Sequence, residues 1–346
     1  MDRGFRDRDF LETKEGFLSC VVGCIHPPDK VISYIKYVPH PRGKWGSGEK
    51  RYARFLATYS IPSLSENLRF LRERYPHYIF YSHEWNTSMS CTPTKYIKVH
   101  YRPEERLKEL ARSGERDPLE EETIALAWFI SRESGVPLGR MGVTGSILTR
   151  IHRVEFSDID LTVYGGGESL RVKETLQSLY KEGGEIQPLK GSRLEDWCRE
   201  KARIYPVTVE EAYKIYGRRW NYGVFKGRIF SIHPVRDRVE DRYGDRVFEP
   251  LGIVEVSAKI LDSSEAIFLP CTYKVGDVKV MDGPRFEGIR EITSYEGFYG
   301  DIADPGDRVV ARGRLERVRD LRGEEEYYRV LIGSLDAEGG DYIKPL

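Results

Sequence analysis

The sequence predicts an α+β protein in three parts: an N-terminal mixed α/β unit (1–115), a mixed sheet with flanking helices (116–245) and a small C-terminal β-barrel (246–346). Three observations predict it. Strand-like and helix-like runs mix over the first 115 residues, between clear turn signals. The central part opens with a helix, then gives a short apolar strand that stops at Gly145-Ser146 and a second strand that starts at Asp158-Ile159-Asp160. From about residue 246 helical periodicity vanishes, and short strand patterns separated by turns take over.

In the N-terminal part, residues 17–25 and 30–38 are strand-like runs joined by the turn signal His26-Pro27-Pro28-Asp29, and 43–48 is a Gly-rich loop. Ser63 and Glu66 have capping-box spacing, for a helix that must end before Pro76. Residues 78–81 and 96–101 return to strand patterns, the second alternating Ile97, Val99 and Tyr101 against Lys98 and His100. Pro103 then opens a short helix.

In the central part, Asp117-Pro118 marks a helix start and Gly135 its stop. Leu119, Thr123, Leu126, Ala127 and Ile130 share one face of that helix and can lie on a sheet. Along the later strand side chains alternate, so Asp158, Asp160 and Thr162 share one face while Ile159, Leu161 and Val163 share the other. Burying the apolar face leaves two carboxylates side by side. They repel unless neutralised, and a hard dication such as Mg²⁺ or Mn²⁺, bound by carboxylates plus substrate phosphates, neutralises them. A strand (141–143) that halts at Gly145-Ser146 and opens into a helical turn points backbone N–H groups and a hydroxyl at an anion. Arg150 and Arg153 lie close enough in sequence to add positive charge. Gly165-Gly166-Gly167 reads as a flexible connection to a helix ending near Gly183.

These residues resemble the polymerase-β-type nucleotidyltransferase superfamily, whose motif is Gly-Ser, a short spacer, then Asp-hydrophobic-Asp or Asp-hydrophobic-Glu. The whole chain is similar to archaeal predicted nucleotidyltransferases with extra domains on both sides. The resemblance implies a polymerase-β-like core, contact of Gly145 and Ser146 with the triphosphate of an NTP, and Asp158 and Asp160 as catalytic ligands of Mg²⁺ (or Mn²⁺), two ions in the superfamily. Members also carry a third carboxylate on a later strand, in a hydrophobic-Asp-hydrophobic-hydrophobic-Pro run after a hairpin. Here residues 221–234 have the hairpin shape, with Lys226-Gly227 at the turn, and the alignment puts Ser231 at the acid's position. A hydroxyl is neither an anionic ligand nor a base near neutral pH. His233 on the same face, Glu185, Asp237 and Glu240 are the other candidates for the missing group.

Between Lys190 and Arg228 there are ten basic residues against five acidic ones, interleaved with Tyr216, Trp220, Tyr222 and Phe225. Cations neutralise phosphates and aromatic faces stack on bases, so Arg218-Arg219-Trp220 is the predicted contact to a nucleotide or nucleic acid; the alternative is an ordinary basic helix face beside a buried Trp. Ser192 with Glu195 and Thr208 with Glu211 are capping-box spacings for two helices, the second stopping at Gly217. In the C-terminal part, 307–318 and 326–334 read as a hairpin around 320–323, and the run from Gly306 to Val318 resembles OB-fold proteins, which often bind single-stranded nucleic acid. Arg308, Arg312, Arg314 and Glu316 share one face there, read as solvated and internally paired.

Composition bounds the partners. Formal net charge is zero, so no whole-molecule attraction to nucleic acid operates. Gln occurs at two positions and Asn at three while 32% of residues are charged, the balance of a thermophile's protein. Five cysteines without a CxxC pair, and no apolar run near the roughly 18 residues a membrane helix needs, point to a reduced, cytoplasmic protein with no membrane partner. The expected function is Mg²⁺-dependent transfer of a nucleoside monophosphate from an NTP to a hydroxyl on RNA, with a protein as the other acceptor class. The alternative is a non-catalytic nucleotide- or RNA-binding protein that lacks the third acid.

Overall fold

Val31, Ser33, Ile35 and Tyr37 turn inward along the strand Lys30–Pro39, while Ile32, Tyr34, Lys36 and Val38 lie on its partly exposed face, the two-residue period of a strand. This strand organises the N-terminal sheet of the computed structural model, which describes residues 3–56 and 61–346. The sheet runs in the order Trp45–Ser47, Lys50–Arg54, Lys30–Pro39, Leu18–Val21, Phe10–Thr13, Ile97–Tyr101, with every pairing antiparallel.

A second, mixed sheet runs Ile186–Gln187, Tyr222–Phe225, Arg228–Val235, Ile159–Tyr164, Met141–Val143. Ile159–Tyr164 and Arg228–Val235 are parallel; the other neighbours are antiparallel. A parallel pair needs a long crossover, which begins here with the helix Gly166–Glu182. Helices Pro103–Arg112 and Pro118–Ser134 also contact this sheet. Phe10, Leu18, Cys20 and Tyr37 of the N-terminal sheet share one buried cluster with Leu148 and Ile151, just beyond the Gly-Ser turn. Both sheets therefore belong to one unit, made of residues 3–56, 91–189 and 220–240.

The other unit comprises residues 61–90, 190–219 and 241–346. In it, Arg246–Asp262, Cys271–Asp282, Ile289–Ser294, Glu325–Ile332 and Arg308–Asp320 pair in that order, and the last pairs back onto the first, closing a ring of five strands. Ile289–Ser294 and Glu325–Ile332 are its parallel pair. The hairpin expected around residues 320–323 is present, with Asp320 opposite Glu325.

The contacts thus group the chain in two discontinuous units, where composition suggested three consecutive parts divided at 115 and 245. Several local expectations are corrected. The first helix spans Ile61–Arg74, so Ser63 lies inside it and cannot cap it. Ser192 does not cap either: the helix starts at Gly191, with Lys190 at the cap position and no side-chain cap bond. Only Gly165 of the triple glycine is connection, because the helix begins at Gly166. Thr208 and Glu211 form the expected capping box. The face of Arg314 and Glu316 is buried, not solvated: Glu316 is held between Arg314 and Arg329. Among the described residues no helix is long and apolar enough to cross a membrane.

Candidate metal and nucleotide site

The site grows from two adjacent strand ends. Met141–Val143 stops where the amide of Thr144 donates to the carbonyl of Asp160 (2.9 Å) and the Thr144 hydroxyl donates to the carbonyl of Arg8 (2.7 Å). Gly145 then takes φ +69°, and a Cβ built on it would fall 2.6 Å from Asp160 Oδ2. Glycine is required twice over there, for the left-handed backbone and for the close approach of the carboxylate. The helical turn Gly145–Leu148 that follows is buried throughout. Ser146 is 7% exposed, and its hydroxyl is 3.4 Å from that of Ser157. Arg228 fixes the loop before the acids by donating to the carbonyls of Val154 (3.1 Å) and Ser157 (2.9 Å).

Asp158 is exposed and Asp160 partly buried. The parallel strand sets Ser231 beside Asp160 and His233 beside Thr162. Ser231 Oγ donates to Asp160 Oδ1; His233 Nε2 lies 2.8 Å from the same hydroxyl and 3.5 Å from Asp160 Oδ1. The hairpin turn expected at Lys226-Gly227 is the device that delivers this strand, with both turn residues at positive φ.

The acids titrate apart. Repulsion from Asp160 pushes Asp158 up to about 6, as expected for two carboxylates sharing a site. Burial would raise Asp160 as well, but the hydrogen bond and charge of His233, the charge of Lys36 and the Ser231 hydroxyl together hold it below the ordinary carboxylate range. Burial and the nearby Arg8 push His233 down to about 4, against the pull of Asp160. The imidazole is therefore neutral at neutral pH, and for Asp160 the hydroxyl and Lys36 are the contributions that persist there.

Sequence reasoning missed the basic half of the site. Lys36 acts on Asp158, Asp160 and His233, Arg54 on Asp158, and Arg8 on Asp160 and His233. All three come from the N-terminal segment. The Lys36 ammonium lies 5.6 Å from the ring centre of Phe10 and 5.8 Å from that of Tyr37. One signal was legible: Lys36 lies mid-strand on a half-exposed face, flanked by Tyr34 and Val38.

Of the predicted residues, the fold brings together Gly145, Ser146, Asp158, Asp160, Ser231 and His233. Arg150 is instead paired with Glu109 (2.6 Å), and Arg153 with Glu155 and the carbonyl of Gly46. Glu185 faces Lys226 (3.6 Å), Asp237 faces Arg140 (2.7 Å), and Glu240 is exposed. Trp220 is 2% exposed, so no base can stack on it. Arg219 donates to the carbonyls of Gly297 and Phe298, and Arg218 pairs with Asp304 and Asp307. The predicted nucleic-acid contact is corrected on these grounds: its aromatic is core and its cations are engaged.

The donors present suit a hard dication: two carboxylates from one strand face, with Asp160 set into the space a Cβ at position 145 would fill. Among the described residues the three-ligand cluster is a different one, Asp117, Glu120 and His152.

No family model matches the chain, and no solved structure matches it. The uncharacterized protein MJ1086 of Methanocaldococcus jannaschii is 28% identical over 343 residues, an alignment that covers 98% of each chain. Over nearly its whole length, therefore, the chain is similar to a protein of an archaeon whose own activity is undescribed.

Proposed function

We propose that the first unit is a metal-dependent nucleotidyltransferase on a polymerase-β-like core, moving a nucleoside monophosphate from an NTP to a hydroxyl acceptor. The observation that carries the reading is the register of the central strands. Ser231 stands beside Asp160 on a parallel neighbour, at the place where superfamily members keep the third acid, and its hydroxyl and the His233 imidazole both turn to Asp160. The acid-bearing strand also lies between that neighbour and the short antiparallel strand ending at Gly-Ser, the order the superfamily motif requires.

Asp158 and Asp160 would hold Mg²⁺ or Mn²⁺, which when bound supplies charge neutralisation to the triphosphate. The chain's own residues do the rest. Lys36, Arg8 and Arg54 draw the polyphosphate in and orient it. With the single Ser231 proton given to Asp160, His233 Nε2 donates to Ser231, so His233 Nδ1 is the nitrogen that takes the proton of the attacking hydroxyl. Held near 4 by burial and Arg8, it has about the basicity of a carboxylate, so it replaces the missing acid as a proton acceptor though not as an anion. Ser231 holds the imidazole in place by accepting from its Nε2–H.

RNA is the acceptor class we propose, supported by the closed five-strand ring of the second unit, whose strand order and single parallel pair suit an OB-like barrel. One observation favours a second reading, nucleotide binding without chemistry: at the third-acid position stands a hydroxyl already committed to Asp160. Incubating the protein with each α-labelled NTP, Mg²⁺ or Mn²⁺, and total RNA or protein separates them. Label incorporated by the wild type and not by an Asp158→Ala/Asp160→Ala variant supports the transferase. Tight metal·NTP binding without label supports the binding protein.

A further inference from the structure

We propose that the acid pair takes a single divalent cation per chain, and that Lys36 supplies the positive charge a second ion would otherwise bring. This rests on the nucleotidyltransferase reading of the pair and departs from the two-ion pattern of the superfamily. Three observations on this chain carry it.

The first is where the anions are. Two carboxylates balance one dication, and the further acids that could have joined them are held elsewhere, Glu185 by Lys226 and Asp237 by Arg140. Ser231 adds a hydroxyl and His233 an imidazole, neither of which adds negative charge.

The second is how Asp160 is held. Its Oδ1 receives the Ser231 hydroxyl and lies 3.5 Å from His233 Nε2, while Oδ2 points to the space that a Cβ at Gly145 would fill. A carboxylate that bridges two ions needs an open side at each oxygen, and Asp160 Oδ1 is already taken by Ser231, which leaves Oδ2 for one ion. Exposed Asp158 keeps its oxygens accessible, so the pair is built for one shared ion.

The third is the positive charge already in place. Lys36 lies against Phe10 and Tyr37, which share a buried cluster with Leu148 and Ile151 at the Gly-Ser turn, so its ammonium is carried by the part of the N-terminal sheet that packs on the turn touching Asp160. Arg8 reaches the site from the segment whose carbonyl receives Thr144; its partner Asp7, 3.3 Å away, offsets one charge. A second dication would enter beside these cations with no further carboxylate to receive it.

Titration of the nucleotide-free protein with Mn²⁺, following the electron paramagnetic resonance signal of the free ion, reads the stoichiometry directly. We expect one Mn²⁺ per chain in the wild type and none in Asp158→Asn/Asp160→Asn. Ser231→Asp, verified as folded by circular dichroism, is expected to bind two, and Lys36→Met to bind Mn²⁺ several-fold more tightly than the wild type. Two ions in the wild type, or one in folded Ser231→Asp, would overturn the one-ion site and leave the transferase reading standing. An unchanged affinity in Lys36→Met would overturn the part given to Lys36. No bound ion in the wild type would overturn this proposal, while the transferase reading stands or falls separately by the label assay with NTP present.

Discussion

Asp117, Glu120 and His152 come closer to a ready-made set of three metal ligands than Asp158, Asp160 and His233 do, yet all four of their carboxylate oxygens are engaged. Asp117 Oδ1 accepts the Glu120 amide and Oδ2 faces His152 Nε2 (2.6 Å). Glu120 Oε2 accepts the Asp117 amide, and Oε1 faces Arg106. This is the capping box of the helix Pro118–Ser134 with a histidine and an arginine attached. At the second cluster an exposed Asp158 is raised by its neighbour, while cations gather around the pair. The number of potential ligands does not mark a site; charge without internal satisfaction does.

The comparison breaks most sharply if the wrong cluster binds metal. Asp158→Asn with Asp160→Asn should weaken Mn²⁺·NTP binding by more than about 100-fold, beyond the 10- to 100-fold typical of second-layer changes. It should stay folded, since the relief of like-charge repulsion at Asp158 offsets part of what is lost when the Asp160 charge leaves Ser231 and Lys36. Calorimetric titration showing wild-type affinity in the folded variant would refute the assignment. Next in size is Gly145→Ala, which should lower stability by about 1–2 kcal/mol through its left-handed backbone and also weaken Mn²⁺ binding, since the new methyl meets Asp160 Oδ2. Denaturant unfolding and Mn²⁺ titration on the same sample check both. Asp117→Ala should show the opposite pattern, a stability loss of about 1 kcal/mol from the lost cap with Mn²⁺ binding untouched.

The smallest effect is in pH. The acid pair takes up its first proton near pH 6, on Asp158, so Mn²⁺ affinity should fall as pH drops through about 6 and recover above it. Asp117 behaves oppositely: burial raises it, but the Glu120 amide and His152 hold it below the usual range. Its contribution to stability is present above the unfolded-chain value and lost only as pH falls through the lower folded one. Affinity and unfolding measured from pH 7.5 to 4 should therefore separate, binding failing first.

What the sequence made legible was local. The Lys226-Gly227 turn and the Thr208 cap are each settled by neighbouring residues, and each is found as expected, whereas Asp158 lies just before its strand and Thr162, on the face expected to be open, is buried. The expectation for Ser231 came from the superfamily resemblance, which aligns it with the third acid; the two-residue turn fixes only the register within its own hairpin. Where tertiary partners decide, local patterns misled. Ser63 and Ser192 have cap spacing, but both helices start earlier, at Ile61 and Gly191. Arg150 and Arg153 are near the motif in sequence and are drawn off by Glu109 and Glu155, whereas Lys36, more than 100 residues before the acids in sequence, reaches them through sheet packing. Trp220 interleaves with arginines in the chain and is core in the fold.

Because Leu148 and Ile151 complete a core with Phe10, Leu18 and Tyr37, the site is not a portable cassette. A fragment covering 116–245 would carry both acids yet lack Arg8, Lys36 and Arg54, expose the apolar flank of its own Gly-Ser turn, and include 190–219, whose contacts belong to the other unit. One recombination breakpoint between residues 54 and 158 would separate the acids from their cations. Transplanting this chemistry would require three separate stretches of chain to move together, so its ancestry should be traceable only in alignments that keep the N-terminal sheet and the acid motif joined.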